Sequence, residues 1–125
     1  TVYGEMLYER LVKYQAEVYL INTGWTGGPY GVGRRLDLPQ TRAMVSAALN
    51  GKLRHATFYH HPIFKFLVPE AVPGVDSEIL DTQKTWSNPA AYEQRAKALA
   101  KQFVENFKKF TNAPVELLEA APTFE

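Results

Sequence analysis

Five of the eight glycines in this 125-residue chain lie between Gly24 and Gly33, within the run NTGWTGGPYGVGRRLDLPQTR at 22–42. No other feature constrains the fold as much. Glycines this dense end the preceding element and mark turns whose backbone other residues resist. The spacing from Gly28 to Gly33, followed by Arg34 and Arg35, imitates a phosphate-cradling P-loop. That loop needs a lysine for the β- and γ-phosphates and then a hydroxyl for magnesium. Arginines hold both positions here, and Leu36-Asp37-Leu38-Pro39 does not carry the loop straight into a helix. Gly31-Val32-Gly33 also lacks the third glycine of a dinucleotide fingerprint. Pattern alone therefore supports a structural turn rich in glycine.

The elements around this loop follow from periodicity and punctuation. Tyr3, Met6, Leu7, Leu11 and Tyr14 recur at spacings of three and four, which predicts an amphipathic helix over 2–14. A chain that opens directly into such a helix suggests that Thr1 is not the natural start. Glu17 to Asn22 (EVYLIN) is short, apolar and branched, so a buried strand is expected. Leu36 to Leu38 reads as a short extended piece. Pro39 then opens a second helix, TRAMVSAALN, expected to be buried on most sides and to end at Asn50-Gly51. His55 to Tyr59 is a second strand candidate. Prolines at 62, 69 and 73 exclude long regular elements over 61–76, where Ile63, Phe64, Phe66, Leu67 and Val68 stay exposed unless something covers them. Asn88-Pro89 sets an N-cap and a first-turn proline. A helix follows in which Tyr92, Ala96, Leu99, Phe103, Phe107 and Phe110 form the stripe, with Lys108 and Lys109 at its negative end. One helical turn is expected at 115–119. The order helix, strand, helix, strand, helix gives a mixed α/β (α+β) unit made of one segment, 1–125.

Composition narrows the class. The length suits one domain, which would bury about two-thirds of its unfolded surface if it folded alone. A net charge of +1 gives no sign of a nucleic-acid or membrane partner, and the absence of cysteine excludes disulfides and thiolate metal sites. No apolar run approaches the roughly 20 residues of a spanning helix, so the expectation is a cytoplasmic protein. Adjacent His60 and His61 would point to opposite faces of a strand and could not share a metal. Asp76, Glu78 and Asp81 lack the ordered ligands of a calcium loop. Ser46, Ser77 and Ser87 stand in no nucleophile motif. The expected metal ligands and catalytic residues in this segment are none.

Several blocks nevertheless agree in order and spacing. They are NTGW at 22–25, GxGxR at 31–35, the Thr41-Arg42 pair, and PGVD at 73–76. Together with YLINTGWTGG, FLVPEAVPGVD and ILD they resemble the C-terminal part of ATP-dependent phosphoenolpyruvate carboxykinase, from about Thr1 to Phe110, with 112–125 a variable tail. The resemblance implies a mononucleotide-binding domain with helices packed on a small sheet. It implies conversion of oxaloacetate and ATP to phosphoenolpyruvate, ADP and carbon dioxide, a step of gluconeogenesis, with magnesium and manganese. It also implies that the P-loop, the metal ligands and the oxaloacetate-binding arginine precede this segment, in the remaining N-terminal part of the same protein. What is left here is the nucleoside side of ATP, with Arg35, Leu36 and Thr41 as the contacting residues. The glycine loop then serves to aim Arg35 rather than to hold phosphate, although Gly27-Gly28-Pro29-Tyr30 is longer than the family pattern. The alternative from another class is a stand-alone, non-catalytic α/β module that docks a partner through 62–75.

Overall fold

The computed structural model describes residues 2–125 and is a mixture of helices and short antiparallel strands. Helix α1 spans Val2–Tyr14, as its spacing predicts, but none of its residues is buried. Strands β1 (Trp25–Thr26) and β2 (Arg34–Arg35) form a hairpin, and α2 (Leu38–Leu49) follows. Strands β3 (Phe58–His60) and β4 (Leu67–Pro69) form a second hairpin, in the register Phe58–Pro69, Tyr59–Val68, His60–Leu67. Then come α3 (Ser77–Leu80), α4 (Pro89–Phe107) and α5 (Val115–Glu119).

Two helix boundaries form as the sequence dictates. The Asn88 side chain accepts from the N–H groups of Ala90 and Ala91, and Pro89 sits in the first turn, where a missing N–H costs least. Helix α2 ends at Asn50, and Gly51 takes φ +65°. Its start differs by one step. Leu38 is already helical because Asp37 caps it, so only Leu36 and Asp37 stay outside. The α4 stripe also stops short of Phe110, which lies beyond a further turn with its ring 5.4 Å from that of Phe107.

Other expectations are corrected. Glu17–Asn22 is not a buried strand. It belongs to no regular element, and Leu20 is 93% exposed. A strand requires a neighbour for its N–H and C=O groups, and none among the described residues pairs with it. The predicted strand at 55–59 is shifted to 58–60, because pairing with 67–69 sets its limits and His55 is spent in the turn after Gly51. Helix α2 is not buried on most sides. Only Ala47 is buried, while Leu49 is 82% exposed. In the apolar run after Pro62, Ile63 is buried, but Phe66 and Leu67 remain more than half exposed.

The core consists of two small clusters. In one, Ala47, Leu53 and Val72 bring α2 against the turn before Gly74, with Tyr19, Phe58 and Leu80 packed around them. In the other, Ile63 meets Ala96 and Ala100 of α4, flanked by Phe64, Tyr92 and Phe124. The tail closes this second cluster, since Thr123 donates its N–H to the Ile63 carbonyl at 2.8 Å. Beside it His61 is buried, while His60 faces solvent, as their adjacency requires.

These clusters are thin for the chain's size. The accessible surface is 9738 Å2, whereas a compact monomer of 14.1 kDa exposes about 6,700 Å2. The chain buries about half of its unfolded surface rather than the two-thirds expected of a self-sufficient domain.

Candidate functional site

The glycine run is a hairpin loop. Trp25 pairs with Arg35 and Thr26 with Arg34, and the Trp25 ring meets Tyr30 edge-on at 5.1 Å. The chain turns at Pro29, whose carbonyl accepts from the N–H groups of Val32 (3.0 Å) and Gly33 (2.9 Å). Gly28 and Gly33 are required by close approach. A Cβ on Gly33 would lie 2.5 Å from the Gly28 carbonyl oxygen and 2.6 Å from that of Thr26. The loop is also tied sideways: the Gly27 N–H donates to Thr85 Oγ1 at 3.1 Å, and that hydroxyl donates to the Thr82 carbonyl. The amides of Gly27, Val32 and Gly33 are thus used inside the protein. They do not converge on an external anion, as the amides of a phosphate cradle must.

The hairpin delivers Arg35 directly to the start of α2. Arg35 is exposed. Leu36 is buried, and its N–H donates to the Gly24 carbonyl at 3.0 Å, closing the hairpin base. Asp37 caps α2 by accepting from the Gln40 N–H at 3.4 Å. The Asp37 carbonyl in turn accepts both from the Thr41 N–H (3.2 Å) and from the Thr41 hydroxyl (3.0 Å). Arg35, Leu36 and Thr41 are therefore linked within one β-strand-to-helix corner. With its proton committed to Asp37, the half-buried Thr41 hydroxyl offers lone pairs only. The corner disfavours an anion. The Asp37 carboxylate sits at the helix N-terminus, and Pro39 has no N–H to give.

A second block from the sequence meets the same corner. Asp76 donates its N–H to Gln40 Oε1 at 3.2 Å, and a Cβ on Gly74 would stand 3.2 Å from Ala43 Cβ. The 73–76 turn thus packs on the first turns of α2. Sequence reasoning overlooked Asp37, Gln40 and Thr85. Asp37 was readable, since an acidic residue two positions before a first-turn proline is a helix-start signal. The ties through Gln40 and Thr85 span 36 and 58 residues and leave no local signal.

Two clefts lie elsewhere. One, of about 530 Å3, is lined by Tyr59, His61, Asp81, Tyr92, Lys97 and Thr123 among others. His61 accepts at Nδ1 from the N–H groups of Ile63 and Phe64, both at 3.2 Å. Its Nε2 therefore carries the proton and donates to the Tyr92 hydroxyl at 2.9 Å, which lies 2.7 Å from Thr82 Oγ1. Burial lowers the His61 pKa, opposed in part by the charge of Asp81. This imidazole is a turn clamp held in its neutral form. Burial, followed by the Asp81 charge, raises the Tyr59 phenol, which donates to the Leu80 carbonyl. The second cleft, between the end of α4 and α5, is apolar. Neither cleft includes Arg35, Leu36 or Thr41. Among the described residues no three acidic, histidine or cysteine side chains converge as a metal site, and no helix is long and apolar enough to cross a membrane.

Comparison with known proteins agrees with the blocks that frame this corner. The pattern of the family described as phosphoenolpyruvate carboxykinase matches residues 1–78, which contain both the hairpin and the 73–76 turn. The chain is 55% identical, over 95% of its length, to phosphoenolpyruvate carboxykinase (ATP) 1 of Moorella thermoacetica, covering 23% of that protein. It is 53% identical to phosphoenolpyruvate carboxykinase (ATP) of Bacillus cytotoxicus, over 93% of this chain and 22% of the relative. For the Thermus thermophilus protein of the same name the identity is 48%, over 99% of this chain and 24% of the relative. The chain spans about a quarter of the length of these relatives. With the family pattern covering more than half of it, this chain belongs to the ATP-dependent phosphoenolpyruvate carboxykinase family.

Proposed function

We propose that this chain is the C-terminal portion of an enzyme that converts oxaloacetate and ATP to phosphoenolpyruvate, ADP and carbon dioxide in the cytoplasm, and that it supplies the nucleoside contacts. The observation that carries this reading is the single corner joining Arg35, Leu36 and Thr41 through Asp37. Each residue has a physical role. The exposed Arg35 guanidinium is planar and can stack on a ring or meet a polar edge. Buried Leu36 fixes the hairpin base that aims Arg35, so its own side chain offers the ligand little surface. Thr41, its proton given to Asp37, can only accept. A lone-pair acceptor suits the exocyclic amine of adenine and opposes a carbonyl at the same ring position.

Magnesium and manganese belong to the family reaction, but the acidic and histidine residues described here do not converge on one point. The residues of this segment do not fit a metal site, and no step through a metal is assigned to them. ATP and oxaloacetate are the proposed substrates, with the remaining N-terminal part of the same protein as partner. A free-standing module docking through 62–75 is less favoured, because the match to a much longer enzyme runs through nearly the whole chain.

Thr41→Val in the complete enzyme tests the assignment. It keeps the shape and removes the acceptor, so the expected loss is ~1–3 kcal/mol of ATP binding, a rise in Kd of roughly fivefold to 150-fold. Inosine triphosphate, with a carbonyl where adenine has its amine, should lose far less. Arg35→Ala should weaken both nucleotides, and Lys52→Ala, beyond the end of α2, should change little. Calorimetric ATP affinity within twofold of wild type for both Thr41→Val and Arg35→Ala would remove this corner from the site.

A further inference from the structure

Glu17–Asn22 presents a contradiction between composition and surroundings. Its six residues (EVYLIN) include four consecutive apolar ones, Val18 to Ile21. Runs apolar on both faces belong to strands covered on both sides, rather than to edge strands with one solvated face. In the structure one side is partly covered, because Tyr19 packs on the cluster of Ala47, Leu53 and Val72. The other is bare, with Leu20 93% and Val18 67% exposed. The backbone tells the same story. From Glu17 to Thr23 no N–H or C=O takes part in a backbone hydrogen bond among the described residues. Buried backbone groups are almost always paired, so a segment of this composition needs a neighbour along both edges. The segment is nevertheless anchored in place: Arg54 pairs with Glu17 at 3.1 Å, and the hairpin that carries Arg35 begins two residues after Thr23.

We infer that Glu17–Asn22 is an inner strand of a β-sheet whose other strands come from the part of the same polypeptide outside this segment. The occupant is identified by two quantities and by the strand's own needs. The surface is about 3,000 Å2 larger than that of a compact monomer of this mass. The relatives carry about three-quarters of their length outside the matched region, which is ample chain to provide neighbours on both edges. The strand is also unlike an adhesive edge meant for other molecules, because it needs two partners and a cover at once. It enters the sheet just before the glycine loop, so the sheet would hold the base of the Arg35 hairpin rigid. This inference rests on the reading that the chain is a portion of the longer enzyme.

Hydrogen exchange read by mass spectrometry tests it on the complete polypeptide and on the 125-residue chain. In the complete polypeptide the amides of Val18 to Asn22 should exchange on the order of a hundredfold or more slower than in the chain alone. Leu20→Asp should leave the thermal transition of the chain alone unmoved and lower that of the complete polypeptide by several degrees. Exchange of these amides at the rate of an unstructured peptide in the complete, folded polypeptide would overturn the inference. So would protection in the chain alone that grows with its concentration, since that assigns the edges to a second copy. Nucleotide affinity measured on the same samples keeps the questions apart. An Arg35→Ala effect beside an unprotected strand refutes the strand and leaves the nucleotide reading standing.

Discussion

Gly33→Ala should open the hairpin while leaving the helices intact. The added methyl would sit 2.5 Å from the Gly28 oxygen, 2.6 Å from the Thr26 oxygen and 2.9 Å from the Gly28 nitrogen. Ordinary contact begins near 3.4 Å, so the first two gaps are short by 0.9 and 0.8 Å. All three atoms are backbone and belong to the same hairpin, so no side chain can swing away. Overpacking of this kind costs on the order of 1–3 kcal/mol where it cannot be relieved. The hairpin has only two paired positions, Trp25–Arg35 and Thr26–Arg34, so it yields before anything else does. The informative probe is the Leu36 amide, whose bond to the Gly24 carbonyl closes the hairpin base. Its protection against exchange, followed by NMR, should fall roughly fivefold to 150-fold, the equivalent of that energy. Amides of α4 should be unaffected. Gly31→Ala separates crowding from backbone preference, because Gly31 has φ +89° but nothing within 4 Å. It should cost about 1–2 kcal/mol from conformation alone. Leu36 protection within twofold of wild type in Gly33→Ala would refute the close-approach account.

Two further outcomes are expected. Asn88→Ala removes both capping bonds of α4 and should destabilise the chain by about 1 kcal/mol in thermal melts, whereas Asn88→Asp, which can still accept both bonds, should keep most of that stability. His61 gives a pH dependence of definite sign. Its folded pKa lies below the ordinary 6.5, so the unfolded chain takes the proton first, and the stability held by this site is complete above 6.5 and lost as pH falls through it toward the folded value. His61→Asn can still accept from the Ile63 and Phe64 N–H groups without titrating, so melting temperature should depend less on pH between 7.5 and 5 than in wild type. An unchanged slope would place the titration elsewhere.

What the sequence made legible was local. Asn88-Pro89 and Asn50-Gly51 fix helix ends through groups one to three residues away, and both form as read. The spacing of Tyr3, Met6, Leu7 and Leu11 is an intrinsic property of one helix, and α1 forms although nothing buries it. Pairing was not legible. Thr26 opposite Arg34, and Tyr59 opposite Val68, depend on turns whose register no single residue announces. The proposed nucleoside contacts rest on resemblance, since an arginine, a leucine and a threonine at this spacing carry no general motif. The Asp37 carbonyl, which takes the Thr41 hydroxyl proton and leaves that oxygen as an acceptor, is the physical part of the assignment.

The failures share a cause. EVYLIN and TRAMVSAALN were read as buried, yet Leu20 and Leu49 lie open. Apolar composition reports the surroundings in which a segment is stable, and those surroundings include atoms beyond these 125 residues when the relatives are about four times as long. The glycine loop obeys the opposite logic, because its constraints are satisfied internally. Gly28 and Gly33 approach each other, Val32 and Gly33 spend their amides on Pro29, and Asp37 places negative charge at the helix start. A loop with its donors turned inward and a carboxylate at its exit is poorly made for phosphate. It leaves the Arg35 guanidinium exposed at the end of the hairpin and, through Asp37, commits the Thr41 hydroxyl as an acceptor, the two groups proposed to meet the neutral, polar-edged part of a nucleotide.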